Sequence, residues 1–281
     1  SRVTAGAADM GARRHRLAGT DVPVIGQGTW RMGDDPSREI EALRTGIDLG
    51  MTVIDTAELY GDGKAEEVVA QAVRGRRDQV FIVSKVLPTN ATTAGTLRSC
   101  EASLKRLRTD RIDLYLLHWR REVPLEETVA GFEQLVAAGK IRAWGVSNFN
   151  VSDVESLPAG SVPAANQILY NVARRGPEAD LLPYCAAAGI SVMAYSPIEK
   201  GRLLDHPAIG HVARERGCTP AQVALAWSVR EDNIIAIPKA SSLEHVHQNA
   251  AALEMVLSQE EIRFINDAFP APGVVPLETL S

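Results

Sequence analysis

The sequence predicts an α/β protein built as one (β/α)8 TIM barrel, a single domain with an N-terminal hairpin and extra C-terminal helices. Three observations predict it. Eight short apolar runs recur along the 281 residues, most of them β-branched. Helical patterns fill the gaps between them. No Gly-rich strand-to-helix turn of the dinucleotide-binding kind breaks the alternation.

The runs are Val22–Ile25, Thr52–Ile54, Val80–Ser84, Ile112–Leu117, Ile141–Val146, Val162–Ala165, Ile190–Ala194 and Ile234–Ile237. Near-continuous apolarity marks parallel strands buried on both faces. Helices are expected over Ser37–Leu49, Lys64–Arg74, Thr92–Leu107, Leu125–Ala138 and Glu178–Ala188. Asp35-Pro36 offers a cap followed by a first-turn proline. Gly50, Gly75, Gly139 and Gly189 follow helix ends, where a left-handed residue turns the chain toward the next strand. Strand starts lie 21 to 32 residues apart, except for a gap of 44 that holds two helical stretches, near Pro207–Arg216 and Pro220–Arg230. A doubly wound open sheet is the competing architecture. Gly26-Gln27-Gly28 follows the first run, but no helix starts there and Arg31 stands where a third glycine belongs. Residues 1–14 are expected to be a loose arm, and residues 15–281 the barrel domain.

A net charge of −5 gives no reason to expect nucleic acid as a partner. No apolar stretch approaches the roughly 18 residues that span a bilayer. Cys100, Cys185 and Cys218 are too scattered for a disulfide framework or a zinc site, and a reducing cytoplasm is expected. Ser1 to His15 has no apolar core and does not resemble a secretory signal. The histidine pairs His245/His247 and His206/His211 lack metal-binding spacing, so no metal is expected.

Active sites of such barrels sit at the carboxyl ends of the strands. Those ends carry Gly28-Thr29-Trp30, Asp55, Lys85, His118, Ser147-Asn148, Asn166-Gln167, Tyr195-Ser196 and Pro238-Lys239. Tyr60 follows Asp55 by five residues. A lysine at a barrel mouth needs a partner, and Asp55 supplies one. A nearby ammonium is expected to lower the phenol's pKa, so that Tyr60 can donate a proton to a carbonyl oxygen. His118 can orient or polarise that oxygen. Taken singly, Asp55–Lys85 is a structural ion pair, Tyr60 a loop aromatic and His118 a packed histidine. Their placement at successive strand exits is what points to chemistry. A Schiff-base lysine of a barrel aldolase also explains Lys85, but it leaves Tyr60, His118 and Ser147-Asn148 unused.

Val53-Ile54-Asp55-Thr56-Ala57-Glu58-Leu59-Tyr60-Gly61 resembles the signature of the aldo-keto reductases. Phe81–Lys85 is similar to that family's lysine strand, and Asp113–Trp119 to its histidine strand. Gly145–Phe149, Asn166-Gln167, Ala194–Pro197 and Ile237–Lys239 follow in the family's order. The likeness runs from about Arg16 to Phe269. It implies an NADPH-dependent oxidoreductase that reduces aldehydes and ketones to alcohols, with Tyr60 as general acid and Asp55, Lys85 and His118 as its partners. It implies that Ser147, Asn148 and Gln167 hold the nicotinamide carboxamide and that Tyr195 stacks on the ring, with Thr29, Trp30 and Asp55 close by. Ser196, Ile198, Gly201 and Leu203 would cover the pyrophosphate. Ile237, Lys239, Ser241, Ser242 and His245 would surround the 2′-phosphate, and Gln248 and Asn249 the adenine.

The family often carries an arginine where His245 stands. A histidine cannot make the bidentate phosphate contact of a guanidinium, so NADPH preference with some NADH use is expected. Trp30 and Trp119 would wall the substrate beside Tyr60 and His118. The loop Trp119–Pro124 and the twelve residues after Phe269 are short, which suggests an open pocket for small aldehydes, 2-oxoaldehydes such as methylglyoxal, or keto esters. A monomer is expected. The second reading is a nucleotide-binding regulatory barrel with little turnover.

Overall fold

The computed structural model describes residues 12–199 and 203–280. An antiparallel hairpin, β1 (Arg14–Leu17) and β2 (Thr20–Pro23), precedes eight parallel strands. These are β3 (Gln27–Gly28), β4 (Val53–Asp55), β5 (Phe81–Val86), β6 (Ile112–Leu117), β7 (Ile141–Ser147), β8 (Ala165–Leu169), β9 (Ser191–Tyr195) and β10 (Ile234–Ile237). Each pairs with its neighbour in chain order. Bridges Ile25–Ala236 and Gly28–Lys239 join the two edge strands and close the barrel. Gly28 is required at this seam: a Cβ there would lie 2.9 Å from the Ile237 carbonyl oxygen.

Helices α1 (Pro36–Asp48), α2 (Lys64–Ala72), α3 (Thr93–Leu107), α4 (Leu125–Ala137), α5 (Val151–Glu155) and α6 (Leu181–Ala188) alternate with the strands. The long gap holds α7 (Pro207–Arg216) and α8 (Pro220–Ser228). After β10 come α9 (Leu243–Ala251) and α10 (Gln259–Ala268). Gly50, Gly75, Gly139 and Gly189 all have positive φ, as their positions after helices require. Asp35 makes no side-chain cap to α1; the proline alone shapes that first turn.

Two expected strands are displaced. The run Val22–Ile25 ends the hairpin, and the barrel strand is the Gln27-Gly28 pair beyond it. Gln27 tolerates burial because its amide nitrogen donates to the carbonyls of Leu43 and Met51. The run Val162–Ala165 begins outside the sheet, with Val162 59% exposed, and β8 starts at Ala165. Asn166 lies inside that strand because its side chain donates to the Phe149 carbonyl and accepts from the Phe149 amide. Of the arm expected over residues 1–14, the first eleven residues lie outside the described residues, and Arg14 already opens β1.

Strand parity builds the site. Val53, Phe81, Val83, Leu114, Leu116, Ala165 and Met193 form one buried cluster with Leu17 and Val22 of the hairpin. Ile54, Ile82, Val86, Tyr115, Leu117 and Ile168, of the opposite parity, belong to the cluster shared with the helices. The hairpin therefore packs into the amino end of the barrel. The next inward positions toward the carboxyl end are Asp55, Lys85, His118, Gln167 and Tyr195.

Candidate active site

Lys85 is fully buried, and its ammonium has three acceptors. Nζ donates to Asp55 Oδ2 at 2.8 Å, to the Thr56 carbonyl at 2.8 Å and to the Tyr60 hydroxyl at 3.3 Å. It also lies 4.8 Å from the centre of the Tyr60 ring. With all three protons engaged, the amine is not a free nucleophile, which argues against Schiff-base chemistry. The other oxygen of Asp55 accepts from Gln167 Nε2 at 2.8 Å. Asp55 thus ties the lysine strand to the strand opposite, a link the sequence did not reveal.

His118 packs edge-on against Tyr60, with ring centres 5.7 Å apart, and against Trp119 at 5.0 Å. Its Nδ1 is buried with no hydrogen-bond partner. Burial, with Lys85⁺ adding to it, pulls the imidazole down to about 3, so His118 is neutral. Burial pulls Lys85 below its ordinary value, against the opposing pull of Asp55. The expected lowering of the Tyr60 pKa is not what the structure holds. Burial pushes the phenol well above its usual range, and Asp55 adds to that. The lysine is close, but desolvation outweighs it in the resting site. A raised phenol remains protonated at neutral pH, so the donor is fully loaded. Lys85⁺ is then placed to stabilise the phenolate only as it forms.

At the end of β7, Asn148 stands in the left-handed region with φ 60°. Its side-chain nitrogen donates to the His118 carbonyl, and its oxygen accepts from the Tyr195 hydroxyl at 2.8 Å. Ser147 donates to the Gln167 carbonyl. Seven non-glycine residues among those described have positive φ, and Arg31, Asp62, Asn148 and Ser196 belong to loops at this end of the barrel. Such strain costs roughly 1–3 kcal/mol each and tends to gather at functional sites. Thr29 donates to the Asp55 carbonyl. Trp30 is 41% exposed under the Arg31 guanidinium, and Trp119 is half-buried.

A second group lies around the start of α9. Ser242 caps the helix by accepting from the His245 amide, and His245 is exposed. Ile237 and Asn249 are buried, Lys239 is exposed, and Ser241 and Gln248 are half-buried. Arg38 of α1, which the sequence did not single out, donates to the Ser241 carbonyl at 3.1 Å. Ile198 is half-buried and Leu203 buried; Gly201 lies outside the described residues. Amide-pairing groups beside an aromatic ring at one end, with cations and a capped helix N-terminus at the other, fit a phosphorylated dinucleotide.

The short tail is tied back onto the barrel, with Leu277 packed against the main core. Glu278 pairs with Arg174, which also holds Glu199. Among the described residues, no three His, Cys, Asp or Glu side chains are grouped to hold a metal ion. None of the described helices is long and apolar enough to cross a membrane.

Residues 24–269 match the Aldo/keto reductase family. The chain belongs to that family. This aldo/keto reductase is 50% identical over 262 residues to methylglyoxal reductase YeaE of Escherichia coli K12, covering 89% of this chain and 92% of the relative. It is 34% identical over 249 residues to the glyoxal reductase of Bacillus subtilis 168, covering 87% and 88%. Among solved structures, an aldo/keto reductase from Klebsiella pneumoniae in complex with NADP and acetate superposes with a TM-score of 0.93. That pair is 49% identical and covers 96% of this chain and all of the other.

Proposed function

We propose that this aldo/keto reductase reduces 2-oxoaldehydes and other small aldehydes to alcohols with NADPH, in the cytoplasm and as a monomer, with Tyr60 as the proton donor. The observation that carries this reading is the Lys85 ammonium held between Asp55, the Thr56 carbonyl and the Tyr60 hydroxyl. Relatives named methylglyoxal reductase and glyoxal reductase support the substrate class. Residues 15–281 act as one catalytic barrel.

Bound NADPH supplies the hydride. Ser147, Asn148 and Gln167 would hold its carboxamide, and the Tyr195 ring would lie beside the nicotinamide. Thr29, Trp30 and Asp55 bound the same end. Ser196, Ile198 and Leu203 would cover the phosphates, and Gln248 and Asn249 would hold the adenine. The substrate carbonyl sits between Trp30 and Trp119, with its oxygen facing Tyr60 and His118. Neutral His118 donates a hydrogen bond to that oxygen without competing for its proton. Tyr60 then gives up its proton as negative charge builds on the oxygen, and Lys85⁺ stabilises the phenolate left behind. Neither the site nor the relatives lend support to the low-turnover sensor: the acid and its cation are both assembled.

The deciding assay follows NADPH oxidation with methylglyoxal, phenylglyoxal, small aldehydes and a β-keto ester. Turnover with the highest kcat/KM for 2-oxoaldehydes is expected, and no turnover of any carbonyl would overturn the reading. A neutral His118 adds a pH signature. The kcat of reduction should stay flat from about pH 5 to about pH 7.5, where an ordinary histidine titrates. An inflection near the ordinary histidine value of 6.5 would contradict it.

His245 and Arg38 bear on cofactor choice. Lys239, Ser241, Ser242 and Arg38 provide for the 2′-phosphate, and Ile237 backs them. NADPH is therefore preferred, with measurable NADH use. His245→Arg should tighten NADP+ about tenfold, roughly 1.4 kcal/mol, and leave NAD+ unchanged. Equilibrium titration of both nucleotides checks this, and equal effects on the two would remove His245 from the phosphate site.

A further inference from the structure

Behind the reacting residues, on the helix side of β5, lies a buried carboxylate with no part in the mechanism above. Glu66 of α2 has no solvent exposure. Its Oε2 accepts from the Ser84 hydroxyl at 2.8 Å, and its Oε1 accepts from Arg106 of α3, with Nε at 2.8 Å and Nη2 equally close. Ser84 precedes Lys85 on β5 and points the other way. Glu66 is the third residue of α2, which follows the Tyr60–Gly63 turn directly. That turn runs through three successive left-handed residues, Gly61, Asp62 and Gly63. Arg106 lies against it: a Cβ on Gly63 would fall 2.7 Å from Arg106 Cδ.

We propose that Glu66 is a positioning residue that holds the Tyr60 turn in register with the Lys85 strand. Tyr60 is tethered to α2 by a turn with unusual backbone angles, and Lys85 is fixed by β5. Their direct contacts are a long 3.3 Å hydrogen bond and the ammonium 4.8 Å from the ring centre, too weak to define the spacing by themselves. Glu66 clamps α2 to β5 through Ser84, and Arg106 braces the turn from α3 while neutralising the carboxylate. An error of about 1 Å between acid and cation costs on the order of 100-fold in rate. The charge of Glu66 also acts through the strand to favour the ammonium form of Lys85. The groups around Lys85 are Asp55, Tyr60 and His118 inside the barrel and Glu66 behind it. Those around Glu66 are Ser84, Arg106, Cys100 and Tyr115.

This inference rests on Tyr60 and Lys85 acting as proposed. The test compares Glu66→Gln and Ser84→Ala with the full-length wild-type enzyme, using methylglyoxal and NADPH. Glu66→Gln should lower kcat roughly 10- to 100-fold with KM and the NADP+ Kd nearly unchanged. Removing a negative charge makes Lys85⁺ easier to deprotonate, so the alkaline limb of kcat should move to lower pH. Ser84→Ala keeps the charge and should lower kcat several-fold without moving the limb. A kcat within twofold of wild type in both variants overturns the proposal. So does a loss in Glu66→Gln that leaves the alkaline limb in place and only follows a fall in Tm. If Glu66→Gln does not fold, an unaffected kcat in Ser84→Ala overturns it alone. A wild-type enzyme that reduces no carbonyl would instead refute the proposed function.

Discussion

Tyr60→Phe is expected to lower kcat for aldehyde reduction by roughly 10²–10⁴-fold, the usual contribution of a positioned general acid. The Kd for NADP+ should barely change. The phenylalanine ring keeps the packing against His118 and the position over Lys85. Only the hydroxyl is lost, and it accepts one long hydrogen bond while Lys85 keeps Asp55 and the Thr56 carbonyl. The fold should therefore survive, and stopped-flow hydride transfer with nucleotide titration separates chemistry from binding. Near-wild-type turnover would mean that another group protonates the oxygen.

Lys85→Met has the second large effect, and it appears in two readouts. The phenol is pushed upward by burial and by Asp55, so without the ammonium nothing on this side stabilises the developing phenolate. A loss of kcat comparable to that of Tyr60→Phe is expected. The substitution also strands the Asp55 carboxylate, which is 2% exposed, with Gln167 as its remaining side-chain donor. Breaking a buried pair this way costs about 3–5 kcal/mol, or about 10 °C in Tm for a chain of this size. The double variant Lys85→Met/Asp55→Asn removes the stranded charge while keeping an acceptor for Gln167. It should regain most of the Tm and none of the activity. Recovery of both would show that Lys85 serves stability alone.

The architecture could be read from residue order because burial on both faces of a parallel strand leaves a continuous apolar run, and β4, β5, β6 and β10 each carry one. Three of the four reacting side chains were legible for the same reason: Asp55, Lys85 and His118 interrupt or follow such runs at the end where barrel sites form. Where the apolar rule fails, a buried amide is responsible. Gln27 and Asn166 satisfy their polar atoms on neighbouring backbone, so β3 and β8 extend through residues that a hydrophobic pattern excludes.

By itself the sequence determined the alternation of elements, the parity that sends Asp55, Lys85 and His118 into the barrel, and the presence of a tyrosine next to them. Tertiary structure alone decided the packing that half-buries that tyrosine beside His118 and Asp55, and hence that its phenol is pushed up rather than down. It also decided that Gln167 grips Asp55, that Glu278 of the tail pairs with Arg174, and that Glu66 stands behind Lys85. Desolvation depends on everything packed around a group, and these contacts join residues far apart in the chain; neither is written in local order.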